Sequence, residues 1–570
     1  MHLLALKKKG SGSPDANSVI NAASFKFLFK DRTLVEGVSG TSPLTLSRPA
    51  QKFLVDQNGR YSINAINATP YHHTGAGVCQ GVLIEGASSN YIRNSNLFTG
   101  TGGWEGGSSG SPGGVAGGGA LLGLTPTAGV PGPILGLETT AGYTATRYTM
   151  DATTGQHYVG KYGGYANLTI EQYVLAFKQN GNTTDYALAI GCGGGSDFTV
   201  GSIVSSAGQI LRQQSVTVGA TFNNSHFLTV RTTADGWVLV SWIMRSTGGG
   251  GNNRNPQIGI VKRNGTSWDT SFAGDPGFTF DLFGFSREYS SSQAGRGAER
   301  LASSYIHTNA ATGPVARAAD SLTWASISAS LRSVYVEAVG PVYDCSLLSL
   351  DDNSAVAFVP NANNAGAYEP DNMIDLRAEA MNNAAQELYG QYRLYIRRGF
   401  SVTVDATTDV FTASAAHSLS AGMQVSFRSA SLPAPLVKDQ LYYVVSTGLT
   451  STAFMVSTTA NGAPIDVTVS ASSGLFARVT SSFDAGIAPA SGTQRFVVSW
   501  DASNVTFGST GSGSATVAHG LGAAPTLTTM RFGTGFRQNR LADLNQPISR
   551  AMGWTRVLTN PEQLALLRQP

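Results

Sequence analysis

The chain is poor in charge. Only 13% of its 570 residues are Asp, Glu, Lys or Arg, about half of the roughly 25% usual in globular proteins. Basic and acidic side chains nearly cancel at a net charge of +3. The one basic run is Lys7-Lys8-Lys9, so the footprint of a nucleic-acid binder is missing. Cysteine is scarce as well. Cys79, Cys192 and Cys345 stand far apart, form no CxxC pair or metal-spaced cluster, and by their odd number argue against a disulfide framework. They read as small buried hydrophobes. No run approaches the ~20 apolar residues that cross a bilayer, so no membrane partner is expected. In the opening Met1-His2-Leu3-Leu4-Ala5-Leu6-Lys7-Lys8-Lys9 the charges follow the apolar run, whereas a secretory signal has them first. Regular repeats are absent too, which excludes a parallel β-helix.

What the chain has is glycine, 68 residues of it, well above the usual ~7%. With Ser, Thr and Asn it suits short strands joined by tight turns, because Gly and Asn supply the positive φ that turns need. At this length two to four domains are expected. Residues 1–24 read as a docking peptide and a Gly-Ser linker, with Leu3, Leu4, Leu6, Lys7, Lys8 and Lys9 as the docking candidates. Residues 25–98 form an irregular β-rich N-terminal region with an Asn58-Gly59 turn. A first β-sandwich is set over 99–318. Its opening stretch is Gly- and Ser-rich, and its strands alternate with period two, as in Tyr173-Val174-Leu175-Ala176-Phe177 and Trp237-Val238-Leu239-Val240. A second sandwich covers 319–570, with a small β module inserted at 402–478; its removal would bring Gly399-Phe400 beside Leu475–Val479. One helix closes the chain, with Asn560 as its cap and Pro561 at its first position. The fold class is therefore all-β, two antiparallel sandwiches with a small insert and an N-terminal anchoring segment.

The chemistry of an enzyme is hard to find. A retaining glycosidase needs two carboxyls ~5 to 5.5 Å apart, and one strand would supply them as alternating acids. No such run exists, although a pair drawn from two strands stays open; Asp344–Asp352 and Glu369-Pro370-Asp371 read as loops. Gly106-Gly107-Ser108-Ser109-Gly110 matches a nucleophile elbow but lies in low-complexity text without a strand before it. His72-His73 has no second ligand pair at metal spacing and reads as a polar loop. The oxygen-rich Asp351-Asp352-Asn353 and Asp269–Asp275 could hold Ca²⁺ but lack its twelve-residue pattern, and read as acidic turns. No cofactor is expected. For sugar binding, aromatics near loops are the candidates, namely Trp104, Trp268, Tyr289 and Tyr305. Trp237, Trp242, Trp324 and Trp500 lie in strand patterns and read as core.

Four phrases, in order, resemble bacteriophage structural proteins of the tail-fibre or virion-appendage type, with concanavalin A-like and laminin-G-like domains. They are Asp56-Gln57-Asn58-Gly59 followed by Gly81-Val82-Leu83-Ile84-Glu85; Ser304-Tyr305-Ile306-His307-Thr308 with Ala316-Arg317-Ala318-Ala319-Asp320; Ala416-His417-Ser418-Leu419 with Tyr442-Tyr443; and Trp554-Thr555-Arg556-Val557-Leu558-Thr559-Asn560-Pro561-Glu562. His307 stands where the family has proline. The resemblance implies concanavalin/laminin-G-like jelly rolls, the first like a carbohydrate-binding module. It implies a non-enzymatic tail fibre or similar appendage that binds host surface polysaccharide. Capsid decoration, a head fibre or tail scaffolding is the alternative, and a polysaccharide-degrading spike comes third. Other virion proteins, met through the N-terminus, and a homo-oligomer, with a trimer favoured, are the implied partners. An extracellular-looking composition without an export signal fits a particle assembled in the host cytoplasm.

Overall fold

A computed structural model of the chain describes residues 14–35, 37–85, 88–90, 119–161, 170–193, 199–213, 216–217, 223–224, 227–245, 255–289, 306, 315–317, 320–340, 345–352, 370–382, 388–429, 431–437, 440–488, 492–537, 540–543 and 546–569. Leu3, Leu4, Leu6, Lys7, Lys8, Lys9, Trp104, Tyr305 and the Gly106–Gly110 match lie outside them. Among the described residues strand is by far the commonest structure and only two short α-helices occur, and the sheets are antiparallel, so the protein is all-β.

The first sandwich packs two sheets face to face. One contains Ile170–Asn180, Val238–Arg245 and Thr279–Tyr289; the other contains Tyr186–Gly193, Thr199–Val204 and Asn255–Asn264. Alternation places Tyr173, Leu175, Phe177, Val238, Val240 and Trp242 of the first sheet against Leu188, Ile190, Ile258 and Ile260 of the second, all buried. These strands fall where period two put them, because both inner faces are continuously apolar.

The second sandwich is discontinuous in sequence. Its 8-stranded sheet takes Ser333–Val339, Thr493–Trp500 and Gln546–Trp554 from the C-terminal half, but also Phe25–Phe27, Tyr71–His73 and Cys79–Ile84. Its 12-stranded sheet begins with Leu44–Ser47, paired to Ser321–Ala325. The residues that sequence patterning set apart as 25–98 thus supply four strands to this body. Phe25 lies opposite Gly553, and Ile84 opposite Gln546. Gly81 is needed where it stands: its φ is +127° and a Cβ there would come within 1.9 Å of the Ile548 carbonyl. Ahead of these strands, Ala16–Asn21 is a short helix that packs with the C-terminal helix on the outer face of the sheet; Trp554 Nε1 donates to the Val19 carbonyl at 3.0 Å.

The first sandwich is therefore nested inside the second. The chain leaves the body after Cys79–Ile84 and returns before Ser321–Ala325. Outgoing Ser88–Asn90 and returning Val315–Arg317 pair antiparallel, Ser88 opposite Arg317. We call this two-stranded connection the neck. Beside it the hairpin Lys52–Val55/Tyr61–Asn64, turned at Asn58-Gly59, presses Phe53 and Tyr61 against Ile134, Val174, Ala176, Trp237 and Phe283 of the nested sandwich. The smaller insert follows the same plan. Leu388–Asp405 and Ala471–Ala488, 18 residues each, run out of the body together, about 60 Å at ~3.4 Å per residue. Gly399 pairs with Arg478 and Phe400 with Ala477, and the short strands Gln424–Arg428 and Tyr442–Val444 pack at the outer end. The closing helix, Asn560–Leu567, is capped one residue earlier than expected, by Thr559, whose N–H donates to the Glu562 carboxylate at 2.9 Å.

Candidate functional site

The aromatic sugar-binding candidates do not assemble among the described residues. Trp268 sits on Ser267–Asp269, half-buried against Tyr158, Ala187, Ala189 and Val261. Tyr289 ends a strand of the opposite sheet. No described aromatic is fully exposed. Three half-buried rings are faced by guanidinium groups: Tyr395 by Arg377 at 4.4 Å, Phe476 by Arg428 at 4.7 Å and Phe400 by Arg398 at 5.3 Å. Trp324 is half-buried rather than core, edge-on to Phe25 at 5.0 Å.

Two clusters that patterning missed stand out instead. The first is a polar band across the outer face of the 12-stranded sheet. Ser349 lies opposite both Arg531 and Asp375, Asp375 opposite Tyr395, and Tyr395 opposite Ser482. Exposure falls from Thr45 and Ser482 at the flanks to 0% at Ser349, Asp351 and Asp375. Asp351 is paired with Arg531 Nε at 2.8 Å; Asp375 accepts from Arg377 Nε at 2.7 Å and from Ser346 Oγ at 2.9 Å. Asp351 and Asp375 are diagonal neighbours on adjacent strands, the two-strand carboxylate pair that the sequence left open. Each is bound to an arginine, which stabilises the ionised form. Asp351 and Asp371, read as loop acids, are instead buried and arginine-paired; their partners lie far along the chain.

The second cluster fills the neck. Lys52 is fully buried; its Nζ contacts Asp320 Oδ2, lies 3.3 Å from Glu85 Oε2 and donates to the Leu83 carbonyl at 2.8 Å. Glu85 N–H donates to Asp320 Oδ2 at 2.8 Å, Asp320 N–H returns to the Glu85 carbonyl at 2.9 Å, and Arg317 Nη1 reaches Glu85 at 3.1 Å. His72 and His73, expected in a polar loop, lie in a strand of the body and are 1% and 4% exposed. Among the described residues no group of three or more His, Cys, Asp and Glu gathers as a metal site, and no helix is long and apolar enough to cross a membrane.

A further pattern lies at the base of the smaller insert. Ala416-His417-Ser418-Leu419 and Ala518-His519-Gly520-Leu521 fold alike. In each the histidine Nδ1 accepts the N–H two residues on, from Leu419 at 2.9 Å and from Leu521 at 3.1 Å. Nε2 then faces a carbonyl, of Ala453 at 3.4 Å and of Asp501 at 3.3 Å, which fixes a neutral ring protonated on Nε2. Arg398 pins both turns through the His417 and Leu521 carbonyls. Burial pushes His417 and His519 below their ordinary value of 6.5, as it does His72 and His73; Arg398 adds to the effect on His417, while Asp501 opposes it on His519. Below pH ~6.5 the unfolded chain therefore binds more protons than the folded one. Stability is full above that pH and is lost as pH falls toward the lowered folded values. The urea midpoint should drop between pH 7.5 and pH 5, and His417→Gln should flatten the slope. A midpoint that does not change over that range would contradict neutral buried rings.

No protein-family model matches the chain, and no curated protein matches it. Among solved structures the chain is similar, at 9% identity and a TM-score of 0.11, to the arabinofuranosyltransferase AftD from Mycobacteria, over 78% of this chain and 37% of that one. The chain thus spans little more than a third of that protein, and the likeness carries no argument about fold or function.

Proposed function

We propose that this chain is a non-enzymatic structural protein of a phage particle, a tail fibre or similar appendage whose concanavalin/laminin-G-like jelly rolls hold out surfaces for host glycans. The supporting observation is the nesting: a complete sandwich leaves the body through one paired neck, steadied by a hairpin wedged against it. A binding unit that must keep a fixed pose gains from such a mount, and many copies on one particle would multiply weak binding by ~10²–10⁴. The ligand contacts fall to loop aromatics such as Trp104 and Tyr305, and the N-terminal peptide docks on other virion proteins. Oligomers, a trimer favoured, supply the copies, and assembly takes place in the host cytoplasm.

The guanidinium-covered aromatics favour a second reading, in which the sandwiches bind other virion proteins as decoration or scaffolding. Hydrolysis of polysaccharide is disfavoured by the arginine-held carboxylates. Purified protein should compete with phage for host cells and bind a glycan array. Absence of both, with loss of particles on gene deletion, would favour scaffolding, and released reducing ends would favour a spike.

A further inference from the structure

We infer that Lys52 and Asp320 join across the neck in an intramolecular amide bond, with Glu85 as the proton-transferring group. The three side chains meet in a closed site; those of Lys52, Glu85 and Asp320 are 0%, 2% and 3% exposed. Lys52 Nζ is held between the Leu83 carbonyl at 2.8 Å, the Glu85 carboxylate at 3.3 Å and Asp320 Oδ2. The nucleophilic atom therefore already touches the carboxyl group that would acylate it.

Each partner is set for its part. Burial pushes the Lys52 amine down and the Asp320 carboxyl up, so both move toward a neutral amine beside a neutral acid, the two reactants of amide formation. The Glu85 N–H on Asp320 Oδ2, at 2.8 Å, lies where negative charge develops when the carboxyl carbon is attacked. Arg317 lies 3.1 Å from Glu85, and its positive charge beside that carboxylate favours the form that accepts a proton.

The step balances without an outside reagent. The Lys52 Nζ lone pair attacks Asp320 Cγ and the N–C bond forms. Glu85 takes a proton from the nitrogen and passes it to the Asp320 Oδ1 hydroxyl. The Cγ–Oδ1 bond breaks, water leaves, and Glu85 ends as it began. Nothing is oxidised or reduced. Holding the partners in contact supplies an effective molarity that reaches ~10⁵–10⁸ M in well-oriented cases, and burial removes the water that would drive the reverse reaction. The bond would tie the wedge hairpin to the returning strand, 268 residues further on, and close a covalent ring around the neck.

The test uses the full-length protein, folded, then denatured and weighed intact. The expected mass is lower than the sequence mass by one water, and proteolysis should give one branched peptide that carries Lys52 and Asp320. Glu85→Gln and Lys52→Arg should both restore the full mass. Should either variant fail to fold, the wild-type protein still decides. An unmodified mass in folded wild-type protein, after prolonged incubation, overturns the inference, and so does a water loss that maps to any other residue.

Discussion

Phe27→Ala should cost about 3–5 kcal/mol, the usual range for a buried phenylalanine, and the loss should appear in the C-terminal sandwich. Phe27 is fully buried between the two sheets of that sandwich. Its ring stacks on Phe29 at 5.8 Å and meets Trp324 and Phe532 edge-on at 5.7 and 6.1 Å. Its backbone pairs with Ala551. The site cannot collapse to fill the gap, because Phe25 and Trp324 are fixed by their strands, Phe29 by the 3-10 turn Phe29–Asp31, and the rings by one another. The measurement is denaturant unfolding followed by tryptophan fluorescence, where Trp500 and Trp554 report on this body. A change below about 1 kcal/mol, far short of that range, would mean that the N-terminal strand contributes little to the second sandwich, contrary to its pairing and burial.

The second large effect is expected at Asp371. Its carboxylate accepts from Arg428 Nε at 2.9 Å and from Arg478 Nε at 2.8 Å, and Arg428 Nη2 also contacts it. Arg428 and Arg478 belong to the smaller insert and its supporting strand, whereas Asp371 belongs to the body, so one acid joins the two. Removing one member of a buried ionic group leaves the rest uncompensated and costs about 3–5 kcal/mol. Asp371→Ala should therefore destabilise by that amount and speed amide exchange in Gln424–Arg428. Exchange in Ser333–Val339, in the opposite sheet, should not change. Adding Arg478→Met should recover part of the loss, because the buried charge is then gone as well. Equal loosening of both regions would refute a local clamp.

The strands were legible in the sequence because each buries one or both faces and alternates accordingly; Ile170–Asn180 and Val238–Arg245 are clear cases. The pairing of Gly399 with Arg478 was legible too, from the join left when the insert is taken out. The nesting was not. Phe25–Phe27 and Leu44–Ser47 are short, and their partners lie hundreds of residues away, so nothing local distinguishes a strand of the body from one of a separate region. The neck cluster was hidden for a related reason. Lys52 opens an apolar strand, Glu85 follows one and Asp320 precedes one, and single charges at strand ends usually face water. The usable signal was the company they keep: three charges of both signs, two of them, Lys52 and Glu85, flush against a fully apolar run. The helix cap slipped by one because Thr559 and Asn560 are both good caps, and only the reach of Glu562 back to Thr559 separates them.

Nesting also sets an order of events during synthesis. The first sandwich can close on itself once residue 317 has left the ribosome, since both its sheets are complete by then. The strands Phe25–Phe27 and Cys79–Ile84, made long before, must wait for Gln546–Trp554. At ~5–20 residues per second, translating that remainder takes on the order of 10–50 s. For all that time Phe25–Phe27 lacks its strand partner and Cys79–Ile84 is paired on one edge only, with Tyr71–His73, and the nascent protein is then most open to aggregation or to capture by a chaperone.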